Sequence, residues 1–119
     1  MLTRQALRVV AIVWIVCLVA VSLQPYRPPG ESHSTRHRVF HVLSFGAAAL
    51  MLLALGTDGK RELVAGLGVL CLAVAIETSQ YLLYNNPFEW WDVRDDTIGI
   101  LIAALLIRRT RVRSFLLSG

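Results

Sequence analysis

A carboxylate and a carboxamide lie inside a segment that is otherwise apolar. Glu77 and Gln80 belong to residues 63–84, LVAGLGVLCLAVAIETSQYLLY, which are numerous enough to cross a lipid bilayer. The two side chains are three positions apart and therefore share one face of a helix. An ionisable group at membrane depth costs at least a few kcal/mol, so Glu77 indicates either a functional site or a paired structural role.

Two further groups of residues that could carry chemistry flank this segment. Two histidines and two arginines lie in RHRVFH, residues 36–41, and three aspartates lie in FEWWDVRDD, residues 88–96. Carboxyl and imidazole groups in a desolvated site suit acid–base work, and a guanidinium suits anion binding. The predicted site residues are, for catalysis, His41, Glu77 and Asp92, and, for ligand binding, Arg38, Gln80 and Asp96.

Histidines recur every fourth residue at positions 33, 37 and 41, which leaves a metal site open as an alternative. However, His33 lies in QPYRPPGESHST, residues 24–35, whose prolines prevent a continuous helix. We therefore expect no metal and no cofactor. The sequence also contains no phosphate-binding glycine loop and no serine nucleophile motif.

The elements that must hold these residues are apolar helices. The chain has 119 residues, 55% of them hydrophobic, and a mean hydropathy of +0.58. Four apolar runs, at residues 6–23, 39–56, 63–84 and 97–107, predict an all-α bundle of four transmembrane helices. We place these helices at about 6–23, 38–56, 62–84 and 92–109 of one domain, residues 1–119.

The last apolar run is too short to span a bilayer unless the helix begins near Asp92. Its acidic first turn must then lie at the membrane interface, where Trp90 and Trp91 would act as anchors. Asp92 and Asp96 share a face with small residues, whereas we expect Asp95 on the solvated side as a helix-start acid.

Basic residues are distributed unevenly between the two ends of the predicted bundle. The chain has 12 lysines and arginines, and eight of them fall at the termini and in the second loop. The positive-inside rule therefore predicts that both termini lie in the cytoplasm. A cleaved signal peptide over the first run is a less favoured alternative. The basic tail is typical of contact with anionic lipid and not with nucleic acid.

With this orientation, three separate polar regions converge on the exterior half of the bundle. His41 begins the second helix, Glu77 and Gln80 lie near the end of the third, and the aspartates open the fourth. The result is an exterior-facing polar pocket. Small residues such as Gly46 and Gly99 predict close helix contacts. We expect the two cysteines, at positions 17 and 71, to pack as small apolar groups.

The order of these motifs resembles the VanZ-like family of small bacterial membrane proteins. Members carry a motif like D-K-x-x-H-F, then E-x-x-Q near the end of the next helix, then D-x-x-x-N-x-x-G opening the last. The corresponding segments here are HRVFH at 37–41, ETSQ at 77–80 and DVRDDTIG at 92–99. Three positions depart from the pattern: His37 replaces an acid, Asn86 stands where arginine is frequent, and Asp96 replaces asparagine.

The resemblance implies a cell-envelope role, because some relatives are associated with reduced susceptibility to teicoplanin. It implies no established reaction. Our first hypothesis is a protein that binds, or acts on, an envelope lipid or a lipid-linked wall precursor. The second is a non-enzymatic assembly subunit whose polar cluster only fixes helix packing. Ion translocation is weaker, because the cytoplasmic halves lack matching acids and histidines. A homo-oligomer stays open.

Overall fold

The computed structural model describes residues 2–25, 34–109 and 112–117 and is all-helical over them. Its helices are α1 (Arg4–Ser22), α2 (Thr35–Leu55), α3 (Gly59–Tyr84), α4 (Trp90–Arg109) and the short α5 (Val112–Leu116). The all-α prediction is confirmed. The four long helices begin two or three residues earlier than predicted. The sequence analysis did not predict α5. Position 33 of the histidine repeat lies outside the described residues.

Polar caps explain the early helix starts. Thr3, Ser34 and Asp58 are the N-caps of α1, α2 and α3, and each side chain accepts a hydrogen bond from the amide three residues further on. Apolar periodicity is visible only over the buried part of a helix, so it does not indicate these polar first turns. Asn85, in the left-handed conformation with φ of 55°, ends α3.

Close backbone contact between α2 and α4 forms the centre of the bundle. A Cβ atom at Gly46 would lie 3.2 Å from the Gly99 carbonyl oxygen, and one at Gly99 would overlap the Val42 carbonyl oxygen. The small-residue prediction is therefore confirmed for this helix pair. Phe45, Ala49, Ala73 and Ile100 belong to the apolar core around this contact.

The two ends of the bundle differ in what joins the helices. At one end the chain termini meet, since the Leu2 amide donates to the Leu116 carbonyl at 2.9 Å. The Arg4 guanidinium reaches the Leu55 carbonyl at 2.8 Å, and Arg113 reaches Leu53 and Glu62. At the opposite end α1 and α3 finish while α2 and α4 begin. All the predicted site residues lie toward that second end.

Three helices, α1, α2 and α3, are long and apolar enough to cross a membrane, with hydropathies of 2.2, 1.8 and 1.7. Their exposed surface is largely apolar, as Val16, Leu63 and Leu82 illustrate. The chain is therefore a membrane protein by this measure. The expected packing of Cys17 and Cys71 is wrong, because both are exposed on this surface. Their thiols add to the apolar exterior, where a small weakly polar group is tolerated.

Candidate functional site

Polar side chains are buried together at the end of the bundle where α2 and α4 begin. Their burial follows from helical spacing, because residues four apart on α2 face residues four apart on α4. The parallel direction of these two helices keeps the same register over successive turns. The buried polar residues are His41, Ser44, Glu77, Gln80, Asp92, Asp95 and Asp96.

Two histidine–aspartate pairs join α2 to α4, one helical turn apart. The His37 Nε2 and Asp92 Oδ1 atoms are 3.0 Å apart, and the His41 Nδ1 and Asp96 Oδ1 atoms are 2.7 Å apart. His41 also bridges the pairs, since its Nε2 lies 3.6 Å from Asp92 Oδ2. The Phe45 ring stacks on the His41 ring with centroids 5.8 Å apart, which fixes the imidazole plane.

Glu77 brings α3 into the same cluster. Its side chain is buried, and its Oε2 accepts a hydrogen bond from the Glu89 amide at 3.2 Å, which ties the segment before α4 to α3. Its carboxyl group also interacts electrostatically with Asp92 and His41. The site therefore places carboxyl groups beside imidazoles, which are the side chains that most often exchange protons in proteins.

Four of the six predicted site residues thus lie together with His37, and we call these five residues the polar cluster: His37, His41, Glu77, Asp92 and Asp96. The other two predicted residues lie beside it. The Gln80 amide donates to the Ser22 carbonyl and so ties α3 to the end of α1. The Arg38 side chain is 51% exposed, and its Nε lies 3.7 Å from Asp95 Oδ2. Arg38 is therefore at the rim of the site.

The expected solvated position of Asp95 is wrong. Asp95 is 3% exposed, and its Oδ1 accepts from the Arg94 guanidinium at 2.9 Å. Arg94 also lies over the Trp91 ring, 4.7 Å from its centroid. Arginines from two helices therefore cover the Asp95 carboxylate.

His37 is the cluster member that the sequence analysis did not select. It was treated as a departure from the family motif, although the structure makes it the direct partner of Asp92. A signal was present, because the four-residue spacing of His37 and His41 matches that of Asp92 and Asp96. Ligand atoms of His37, His41 and Asp92 all lie within 4.8 Å of one another, which is compatible with a metal ion.

A groove of about 240 Å³ runs along the apolar side of the bundle between α3 and α4. Gly66, Leu70, Ile100 and Leu101 line it, and Thr97 lies at its end nearer the polar cluster. None of the six predicted site residues lines this groove. Its walls suit a hydrocarbon chain, so the polar chemistry and the apolar space are adjacent but distinct.

Comparison of the chain with family models, curated proteins and solved structures finds no match. The resemblance carried by residues 37–41, 77–80 and 92–99 therefore stays a prediction. The site must be interpreted from its own geometry.

Proposed function

We propose that this chain is a VanZ-like protein of the bacterial inner membrane. In this proposal four helices cross the membrane, both termini are cytoplasmic, and the polar cluster faces the exterior. The cluster binds the polar part of a cell-envelope lipid or lipid-linked wall precursor and acts on it by moving protons. Membrane lipids are thus its partners, and reduced susceptibility to glycopeptide antibiotics is the related phenotype.

The observation that carries the proposal is the burial of three carboxyl groups with two histidines. Glu77, Asp92 and Asp96 are each no more than 1% exposed, inside a bundle whose outer surface is apolar. Burying a carboxylate costs several kcal/mol unless it is paired and hydrogen-bonded. A single histidine–aspartate pair would be enough to fix helix packing. The burial of three carboxyl groups in one place therefore supports a chemical role.

The arrangement supports proton handling by named groups. His41 contacts Asp96 through one ring nitrogen and faces Asp92 with the other, so a proton can be held on either side of the ring. Glu77 interacts electrostatically with Asp92 and His41 and so adds a third carboxyl group to this set of titratable groups. At the rim, the exposed guanidinium of Arg38 is placed to contact an anionic headgroup.

Two features of the exterior end support a lipid ligand. Trp90 and Trp91 are exposed where α4 begins, a position typical of side chains at the membrane interface. The groove between α3 and α4 is mostly apolar and extends toward Thr97, with Glu62 and Arg108 lining its opposite end. An acyl chain in this groove would leave its headgroup near the first turn of α4.

A second candidate function is favoured by the way the cluster is satisfied. His37 pairs with Asp92, His41 pairs with Asp96, and Glu77 accepts from the backbone before α4. Each contact joins two parts of the bundle, as expected of a structural network. Under this alternative the chain is a non-enzymatic assembly or scaffold subunit, and the acids serve only to fix α2, α3 and α4.

Glu77→Gln separates the two candidates, because glutamine keeps the size and hydrogen-bonding capacity but removes the titratable proton. We expect the variant to accumulate normally in the membrane yet to behave like the deletion strain in sensitivity to envelope-active antibiotics. Glu62→Gln is the matched control, since Glu62 pairs with Arg113 at the other end of the bundle. Full activity of Glu77→Gln at normal abundance would favour the scaffold role.

A further inference from the structure

We propose that the polar cluster is a divalent metal site in which His37, His41 and Asp92 are the ligands. Their candidate ligand atoms lie within 4.8 Å of one another on two helices that are fixed by close backbone contact. Two imidazole nitrogens and a carboxylate oxygen form a donor set suited to a first-row transition metal ion such as Zn²⁺.

The distances within the cluster match those of a tetrahedral site. Zn²⁺ bonds of about 2.0–2.1 Å separate two ligand atoms by about 3.3 Å. His37 Nε2 and Asp92 Oδ1 are 3.0 Å apart, and His41 Nε2 and Asp92 Oδ2 are 3.6 Å apart. These two separations are close to the tetrahedral value, although they involve the two different oxygens of Asp92. Because all three candidate ligand atoms lie within 4.8 Å of one another, rotation of the side chains would bring them to one ion.

Asp96 supplies an independent observation that points to a metal. His41 Nδ1 lies 2.7 Å from Asp96 Oδ1, and in the tautomer that carries its proton on Nδ1 the Nε2 lone pair faces Asp92. A carboxylate behind a histidine in this way fixes the tautomer and raises the basicity of the ligating nitrogen. If His41 had only a structural role, its Nε2 atom would not need to lie close to both His37 and Asp92.

Charge balance favours the same ion. Asp92 and Asp96 face the imidazoles of His37 and His41 in the interior of the bundle, and Glu77 adds a third buried carboxyl group that interacts with Asp92. A divalent cation compensates buried negative charge more completely than a proton does.

Zn²⁺ titration of the purified full chain tests the proposal. The protein is prepared in detergent with a histidine-free tag, in a background of Cys17→Ser and Cys71→Ser, because the two exposed thiols could bind zinc themselves. After chelator treatment, calorimetry and elemental analysis are expected to give one Zn²⁺ per chain.

His37→Gln is the first variant, because His37 is 13% exposed at the start of α2 and its loss disturbs packing least. It is expected to weaken Zn²⁺ binding at least tenfold. Asp96→Asn removes the acceptor behind His41 and should weaken binding about 10–100-fold. Glu62→Gln, at the opposite end, should bind as the parent does. Circular dichroism and size-exclusion profiles matching those of the parent show which variants are folded.

Less than a tenth of an equivalent of Zn²⁺ on the parent protein would overturn the proposal. Stoichiometric binding that is unchanged in folded His37→Gln and Asp96→Asn would overturn it equally, since the ion would then be held elsewhere. The metal site shares its residues with the proposed envelope function, but the titration needs no envelope ligand. A variant that loses metal binding but keeps the antibiotic phenotype would show that the envelope function does not need the metal. A variant that keeps metal binding but loses the phenotype would show that the metal site exists independently of that function.

Discussion

Gly99→Ala tests whether the backbone contact between α2 and α4 sets the geometry of the polar cluster. A methyl group at this position would overlap the Val42 carbonyl oxygen and lie 2.9 Å from the Gly46 amide nitrogen. Both neighbours are backbone atoms, so neither can rotate away as a flexible side chain would. The helices themselves must separate.

The size of the effect follows from these distances. Ordinary contact begins at 3.4 Å, so relief at Gly46 alone requires a displacement of at least about 0.5 Å. The same displacement would stretch the 2.7 Å contact between His41 and Asp96 beyond an ideal hydrogen bond. Overpacking of this kind typically costs about 1–3 kcal/mol. We therefore expect Gly99→Ala to lower both thermal stability and antibiotic protection.

Thermal unfolding in detergent, followed by tryptophan fluorescence, measures the stability change. Gly68→Ala is the matched control on α3, because a methyl group there meets no heavy atom within 4 Å. Alanine in a helix interior is favoured over glycine by about 0.5–1 kcal/mol, so the control should be neutral or slightly stabilised. The reasoning would be refuted if the Gly99→Ala protein had the same melting temperature as the Gly68→Ala protein and retained its activity.

Two further predictions concern topology and the second acidic pair. In a chain lacking Cys17 and Cys71, a cysteine at position 86 should react with an impermeant thiol reagent in intact cells and one at position 60 should not, because the proposed orientation places Asn86 outside and Lys60 in the cytoplasm. Labelling at position 60 would contradict this orientation. Asp95→Asn should lower the free energy of unfolding by about 1 kcal/mol, because Asp95 pairs with partly exposed arginines. The antibiotic phenotype should persist. Loss of the phenotype in a stably folded variant would place Asp95 in the site.

Much of the fold is predictable because apolar length and helical spacing are local properties. The four long helices follow from runs of apolar residues, and the burial of Glu77 and Asp92 follows from the small residues on their helical faces. The short α5 carries no apolar periodicity of its own. It is held by contacts to the beginning of the chain and to α2, as with Leu2 and Arg113, which sequence spacing cannot reveal.

Partner choice within the site depends on the register between helices, which no local pattern contains. The contact of Gly46 with Gly99 sets that register and places His37 opposite Asp92. Arg38 is one residue further along and about 100° around the helix, so it reaches the rim instead of Glu77. Asp95 is buried for the same reason, because α2 supplies an arginine that covers it.

Native mass spectrometry of the full chain tests the central claim most directly. The claim is that a buried acid–histidine cluster in a membrane bundle binds an envelope lipid or a lipid-linked precursor. Protein extracted from native membranes should retain an anionic lipid-derived adduct, and Arg38→Gln combined with Glu77→Gln should lose it. An Asp58→Asn control should keep it, because Asp58 is an exposed N-cap at the other end of the bundle and asparagine caps a helix equally well. An adduct of equal occupancy in all these proteins, or none in the parent, would contradict the account.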